Sequence, residues 1–154
     1  MRLEGKVALI TGGSRGQGAA EAALFASEGA TVVIADILED RGKQVEAQIN
    51  EAGGRALFVT LDVSSEVDWE RAVREAVEAF GKVDILVNNA ALYSRVPIME
   101  TTLDDWKRIL EVNATGVFLG TKATIPAMQQ AGGGSIINIS STAGMVGSGR
   151  GSAY

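Results

Sequence analysis

The sequence contains neither cysteine nor histidine. Without cysteine there is no disulfide, no thiol nucleophile and no cysteine–zinc site. Without histidine there is no Ser-His-Asp triad and no histidine-ligated metal. Any chemistry must therefore rest on tyrosine, serine, lysine, asparagine or carboxylates. Positive charge is also scarce: 14 Lys and Arg against 19 Asp and Glu leave a net charge of −5. With no basic stripe, nucleic acid and anionic membrane are poor partners. Residues 1–6 lead into only a short apolar run, unlike a signal peptide. No stretch approaches the ~18 apolar residues of a membrane span. The expectation is a cytoplasmic protein.

What is present is 46% apolar residues and 19 glycines in 154 residues. That length indicates one domain, 1–154. Val7-Ala8-Leu9-Ile10, Thr31-Val32-Val33-Ile34-Ala35, Ala56-Leu57-Phe58-Val59, Ile85-Leu86-Val87 and Ser135-Ile136-Ile137-Asn138-Ile139 are short apolar runs. Such runs suit strands buried on both faces. Helical segments lie between them: around 19–27; a helix with Val45, Ile49 and Ala52 on one face; one begun by Ser65; and a long one over 102–130. The Ser65 helix shows a capping-box pattern with Asp68 and an apolar stripe of Trp69, Ala72, Val73, Ala76, Val77 and Phe80. Strands alternating with helices predict an α/β, doubly wound parallel sheet of five strands in the order 3-2-1-4-5.

Thr11-Gly12-Gly13-Ser14-Arg15-Gly16-Gln17-Gly18 falls between the first strand and the first helix. Glycines there let a pyrophosphate approach the backbone, and the helix N-terminus offers free N–H groups. Asp36 ends the second strand, where a carboxylate accepts hydrogen bonds from both ribose hydroxyls of an adenosine. It would repel a 2′-phosphate, and Ile37 and Leu38, not a basic residue, follow it. NAD is therefore expected over NADP. Arg15 is the counter-argument: it is either a partner for a 2′-phosphate or a surface arginine near the pyrophosphate.

The spacing Thr-Gly-x3-Gly-x-Gly resembles the short-chain dehydrogenase/reductase family. Four more segments carry the same resemblance. Asp62-Val63 resembles the family's adenine-contacting pair. Asn88-Asn89-Ala90-Ala91 resembles its Asn-Asn-Ala-Gly motif. Asn113 lies in the long helix where the family has an active-site asparagine. Ser141 and Tyr154 stand at the spacing of the family's Ser–Tyr pair. Gln17, in place of an aliphatic residue, and Ala91, in place of a glycine, are departures at positions that act largely through backbone.

The resemblance implies a Rossmann-like fold and an oxidoreductase, similar to NAD-dependent hydroxysteroid and glucose dehydrogenases, acting on a secondary alcohol or ketone. It assigns catalysis to Asn113, Ser141 and Tyr154. It assigns NAD binding to Gly12, Ser14, Arg15, Gly16, Gln17, Gly18, Asp36, Asp62, Val63, Asn89, Ala90 and Ala91, with no metal. Tyr154 would exchange a proton with the substrate oxygen and Ser141 would hydrogen-bond it; Asn113 would hold waters of a proton relay. Trp106, Leu110, Asn113 and Val117 share one helical face, so the amide must find partners there. Ala91 to Pro97 and Met145 to Gly151 are expected to border the substrate pocket. The family's Tyr-x3-Lys motif stops here at Tyr154, its last two strands lie beyond, and the full-length family tends to form homo-oligomers. The expectation is an incomplete domain whose 154 residues alone do not turn over substrate. The alternatives are a non-catalytic NAD-binding module or an interaction subunit.

Overall fold

A computed structural model describes residues 1–146 and residue 154. Ten main elements alternate: β1 (Val7–Thr11), α1 (Gly16–Ser27), β2 (Thr31–Asp36), α2 (Glu39–Glu51), β3 (Arg55–Thr60), α3 (Glu66–Phe80), β4 (Ile85–Asn88), α4 (Leu103–Leu110), α5 (Gly116–Gln130) and β5 (Ser135–Asn138). The strands form one sheet in the order β3-β2-β1-β4-β5, and every pairing is parallel. This is the order expected from the alternation, with β1 at the centre and β5 at an edge.

Every residue of β1 is buried because a helical layer covers each face of the sheet. Side-chain alternation divides the core in two. Val7 and Leu9 join Val33, Val59, Leu86, Trp69 and Leu119 on the side of α3 and α5. Ala8 and Ile10 join Val32, Ile34, Phe58 and Ala22 on the side of α1 and α2. The Trp69 ring is fully buried, and its Nε1 donates to the Val63 carbonyl at 2.9 Å.

Helix ends follow local chemistry with one exchange of roles. Ser65 Oγ accepts the Asp68 amide at 3.3 Å, but Asp68 does not return the bond to Ser65. Its carboxylate accepts the Asp62 amide at 3.1 Å instead, so α3 is tied to the turn after β3. The expected box is therefore half formed. The reciprocal box occurs at Thr102 and Asp105, ahead of α4. Gly81 ends α3 in the left-handed conformation, φ +81°, a role for which glycine has no steric penalty.

The expected long helix is not uniform. α4 and α5 are joined by a π-helical turn, Glu111–Thr115. Its i to i+5 bonding inserts an extra residue and rotates one half against the other. The expected common face consequently breaks: Ile109 is buried, while Trp106 is 40% and Leu110 39% exposed. The fifth strand ends at Asn138, one residue short of Ile139. Of the segment 145–151 expected beside the pocket, Met145 and Val146 are exposed, and 147–151 lie outside the described residues.

At the amino end of β4, Asp84 is 6% exposed. It accepts the Val7 amide at 2.8 Å and pairs with Lys82 at 2.9 Å and Lys6 at 3.5 Å. Burial pushes the carboxyl up, but the Lys82 hydrogen bond, the Val7 amide and the two ammonium charges outweigh it and hold it below the usual range. A lowered folded value gives stability that is present above the unfolded value near ~4 and is lost as pH falls through the folded value. Asp84→Asn should therefore cost about 1–3 kcal/mol at neutral pH. The deficit should shrink in acid. Urea melts at about pH 7 and about pH 3 check this; an equal deficit at both would assign the loss to geometry and not to charge.

Candidate active site

The carboxyl ends of β1 to β4 open into a cleft of about 740 Å³. The order of the sheet reverses between β1 and β4, which is where a crevice forms in open parallel sheets. Gly12, Arg15, Gly16, Gln17 and Gly18 line one wall, and Asp36, Ile37 and Leu38 another. Leu61 to Ser64 and Asn89 to Leu92 continue the lining, and Arg108, Glu111 and Val112 close it from the long helix.

Thr11 and Asn89 hold the turn after β1 in place. Thr11 Oγ1 accepts the amides of Asn89 and Ala90, each at 3.0 Å. The Asn89 side-chain amide donates back to the Thr11 carbonyl at 2.9 Å. The approach is close enough to require glycine. At Gly12, φ +65°, an added Cβ would lie 2.9 Å from Ala90 Cα; at Gly18 it would collide with the Gly12 carbonyl oxygen.

The entrance of α1 differs from those of α3 and α4. No side chain caps it and its first turn carries no acidic residue. The positive end of this helix therefore faces the cleft without an internal counter-charge. Gln17 hydrogen-bonds Glu21 on the helix flank at 2.8 Å.

Asp36 is buried and holds two backbone amides. Oδ2 accepts from Ser14 at 3.1 Å and Oδ1 from Leu38 at 3.1 Å. Each oxygen retains acceptor capacity, since a carboxylate offers about four lone-pair sites. Ser14 also donates its hydroxyl to the Leu38 carbonyl at 3.3 Å. It is thus turned into the β2–α2 connection and does not line the cleft. Asp62 lines the cleft while its Oδ1 accepts from the amide and hydroxyl of Ser64.

On the far side of the cleft, the Asn113 side chain forms a two-way clamp on Leu92. Its Oδ1 accepts the Leu92 amide at 2.8 Å and its Nδ2 donates to the Leu92 carbonyl at 2.8 Å. The amide's partners are backbone groups of the chain itself. Ser141 Oγ accepts the Ala143 amide at 3.1 Å, capping a short 3-10 turn, Thr142–Gly144. The Tyr154 ring is 40% exposed and meets the Tyr93 ring edge to face, centroids 4.8 Å apart. No hydrogen bond joins Ser141, Tyr154 and Asn113 to one another among the described residues.

A profile of the short chain dehydrogenase family matches residues 6–154. The chain belongs to this family. It is 51% identical over 152 residues to trans-4-hydroxycyclohexanecarboxylate dehydrogenase of Sinomonas cyclohexanicum, covering 95% of this chain and 58% of that protein. It is 49% identical over 146 residues to a 3-alpha-(or 20-beta)-hydroxysteroid dehydrogenase of Mycobacterium tuberculosis, covering 95% and 55%. Against cyclopentanol dehydrogenase of Comamonas testosteroni the figures are 42% over 153 residues, 99% and 61%. The chain thus spans somewhat over half the length of these curated relatives.

The cleft gathers Gly12, Arg15, Gly16, Gln17, Gly18, Asp36, Asp62, Val63, Asn89, Ala90 and Ala91. Three features escaped the sequence reading. Thr11 was visible only as the start of a glycine motif, yet it pins the turn. Arg108 and Val112 stand four apart on the long helix, a spacing that puts both on one face and could have flagged them. Leu92 falls within the segment Ala91 to Pro97 expected beside the pocket, but its clamp by Asn113 gave no signal.

The clamp has a measurable consequence. Asn113→Ala leaves the Leu92 amide and carbonyl unpaired and should cost about 1–3 kcal/mol. Hydrogen exchange at the Leu92 amide should accelerate well beyond that at Val87 in the strand. Unchanged exchange at Leu92 would show that other contacts hold the segment.

Proposed function

We propose that the protein interconverts a secondary alcohol and its ketone using a nicotinamide dinucleotide, NAD in preference to NADP. The observation that carries this reading is Asp36 on the wall of the cleft, with spare acceptor capacity on both carboxylate oxygens. Those oxygens suit two ribose hydroxyls and oppose a phosphate. The uncapped entrance of α1 suits the pyrophosphate, and the volume falls within the roughly 300–1,000 Å³ of ligand clefts. Val63 and Ile37 offer apolar flanks for an adenine ring.

When bound, the nicotinamide supplies the acceptor or donor of two electrons and one hydrogen. The chain's own part is positioning and proton transfer. Ionised to the phenolate, Tyr154 would take the hydroxyl proton in oxidation; as the phenol it would return that proton in reduction. Ser141 hydrogen-bonds the same oxygen. Asn113 acts through Leu92, fixing the backbone between the two sides of the site.

The relatives' names point to hydroxyl groups on carbocyclic rings: a cyclohexanecarboxylate, a steroid and cyclopentanol. A ring-borne secondary alcohol is the corresponding substrate class here. No helix among the described residues is long and apolar enough to cross a membrane. In the whole protein we propose a homo-oligomer, which would cover exposed apolar side chains on the long helix such as Leu103, Trp106 and Phe118.

The test uses protein from the complete reading frame, NAD or NADP, and a panel of ring alcohols. Tyr154→Phe should lower kcat by roughly 10²–10⁴-fold while NAD still binds. Binding without turnover in the parent protein would favour the non-catalytic module. Asp36→Ala should weaken NAD binding and narrow the preference over NADP. Tighter NADP binding by the parent would mean that Arg15 governs the choice and that the cofactor assignment is wrong.

A further inference from the structure

The stretch leaving β4 carries an exposed basic side chain, Arg95, beyond the residues that line the cleft. Leu92 is the last residue of that stretch to line the cleft, and Asn113 fixes its backbone. Tyr93 follows and turns against Tyr154, the ring planes inclined at 76°. The Arg95 guanidinium lies over the Tyr93 ring, 5.6 Å from its centroid. Arg95, Tyr93 and Tyr154 thus form a continuous stack that begins where the cofactor wall ends.

Six of the chain's 14 lysines and arginines, Arg2, Lys6, Lys43, Arg71, Lys82 and Lys122, pair with a carboxylate among the described residues, and Arg95 is not one of them. Arg95 makes no ion pair and no hydrogen bond among the described residues. It is the only Lys or Arg between Lys82 and Lys107, and no Asp or Glu occurs between Asp84 and Glu100. Nothing nearby in sequence neutralises it. Cation–π attraction holds a guanidinium by its face and leaves the N–H edge free. That edge matches a carboxylate in bidentate geometry.

We propose that Arg95 recognises a carboxylate carried on the substrate, so that the preferred substrate is a ring-borne secondary alcohol with an acidic group remote from the hydroxyl. The assignment rests on the dehydrogenase reading of the site. Tyr93 sets the spacing: its ring separates the charge-binding residue from the phenol that handles the proton, so one substrate molecule must span both.

The experiment compares 4-hydroxycyclohexanecarboxylate with its methyl ester, using protein from the complete reading frame. Arg95→Ala should reduce kcat/KM for the acid by roughly 10- to 100-fold more than for the ester, chiefly through KM. Arg95→Lys should recover part of the loss, and added salt should weaken use of the acid selectively. Equal losses on acid and ester would overturn the proposal, since Arg95 would then merely support Tyr93. A parent protein that prefers the ester would overturn it as well. A second arm needs no turnover: calorimetric titration with cyclohexanecarboxylate should show binding to the parent and much weaker binding to Arg95→Ala. If no alcohol is oxidised but this difference persists, the dehydrogenase reading fails and the carboxylate site stands. If alcohols are oxidised and the difference is absent, only the carboxylate site fails.

Discussion

The hydroxyl of Thr11 is the pin of the structure. At the end of β1 it accepts two amides from the segment leaving β4 and donates to the Val87 carbonyl at 3.3 Å. These bonds join two strands at the point where the sheet reverses its order. The helices that follow β1 and β4 cross on opposite faces, so the strand ends part there and a crevice is unavoidable. One buried threonine keeps that crevice at a fixed width. The glycines at 12 and 18 are the other half of the constraint, since any side chain there would force the two segments apart.

Asp36 and Asn113 repeat the same logic on either side. Each is a polar side chain that a motif reading assigns to a ligand, and each is bonded to backbone of the protein itself. Asp36 ties the turn after β1 to the turn after β2 while keeping acceptor capacity toward the cleft. Asn113 ties the long helix to Leu92 and has both of its polar atoms engaged. A buried polar group without a partner costs ~1–3 kcal/mol. These partnerships hold the walls in place before any ligand arrives.

The sheet was legible from sequence because parallel strands buried on both faces read as apolar runs, as β1 to β4 do, whereas β5 keeps only Ile136 and Ile137 and is largely exposed at the edge. The cleft was legible because its glycines and its strand-end acid follow from close backbone approach. What was not legible depends on tertiary partners. Asp68 had two amides within reach, and only the fold decides that its carboxylate takes that of Asp62. The π turn at Glu111–Thr115 cannot be read from a 3.6-residue period, because one extra residue shifts the phase that the period assumes. Trp106 and Leu110 were placed with Asn113 for that reason and lie exposed instead. Ser14 belongs to a ligand motif by position, but its direction follows from Leu38, which carries no signal of its own.

The Leu92 clamp also divides the molecule by tolerance to change. Upstream of it, the chain is tied to Thr11 and to the cleft, and a residue gained or lost would shift Asn89 and Ala90. Downstream, between Leu92 and the Thr102 cap, the backbone is anchored at both ends and bonded mainly to itself, as in Val96 to Ser94 and Thr101 to Pro97. Length and composition in that interval can therefore drift without moving the wall on which a dinucleotide would rest. Asn113 thus separates the wall on which a dinucleotide would rest from the interval that carries Tyr93 and Arg95.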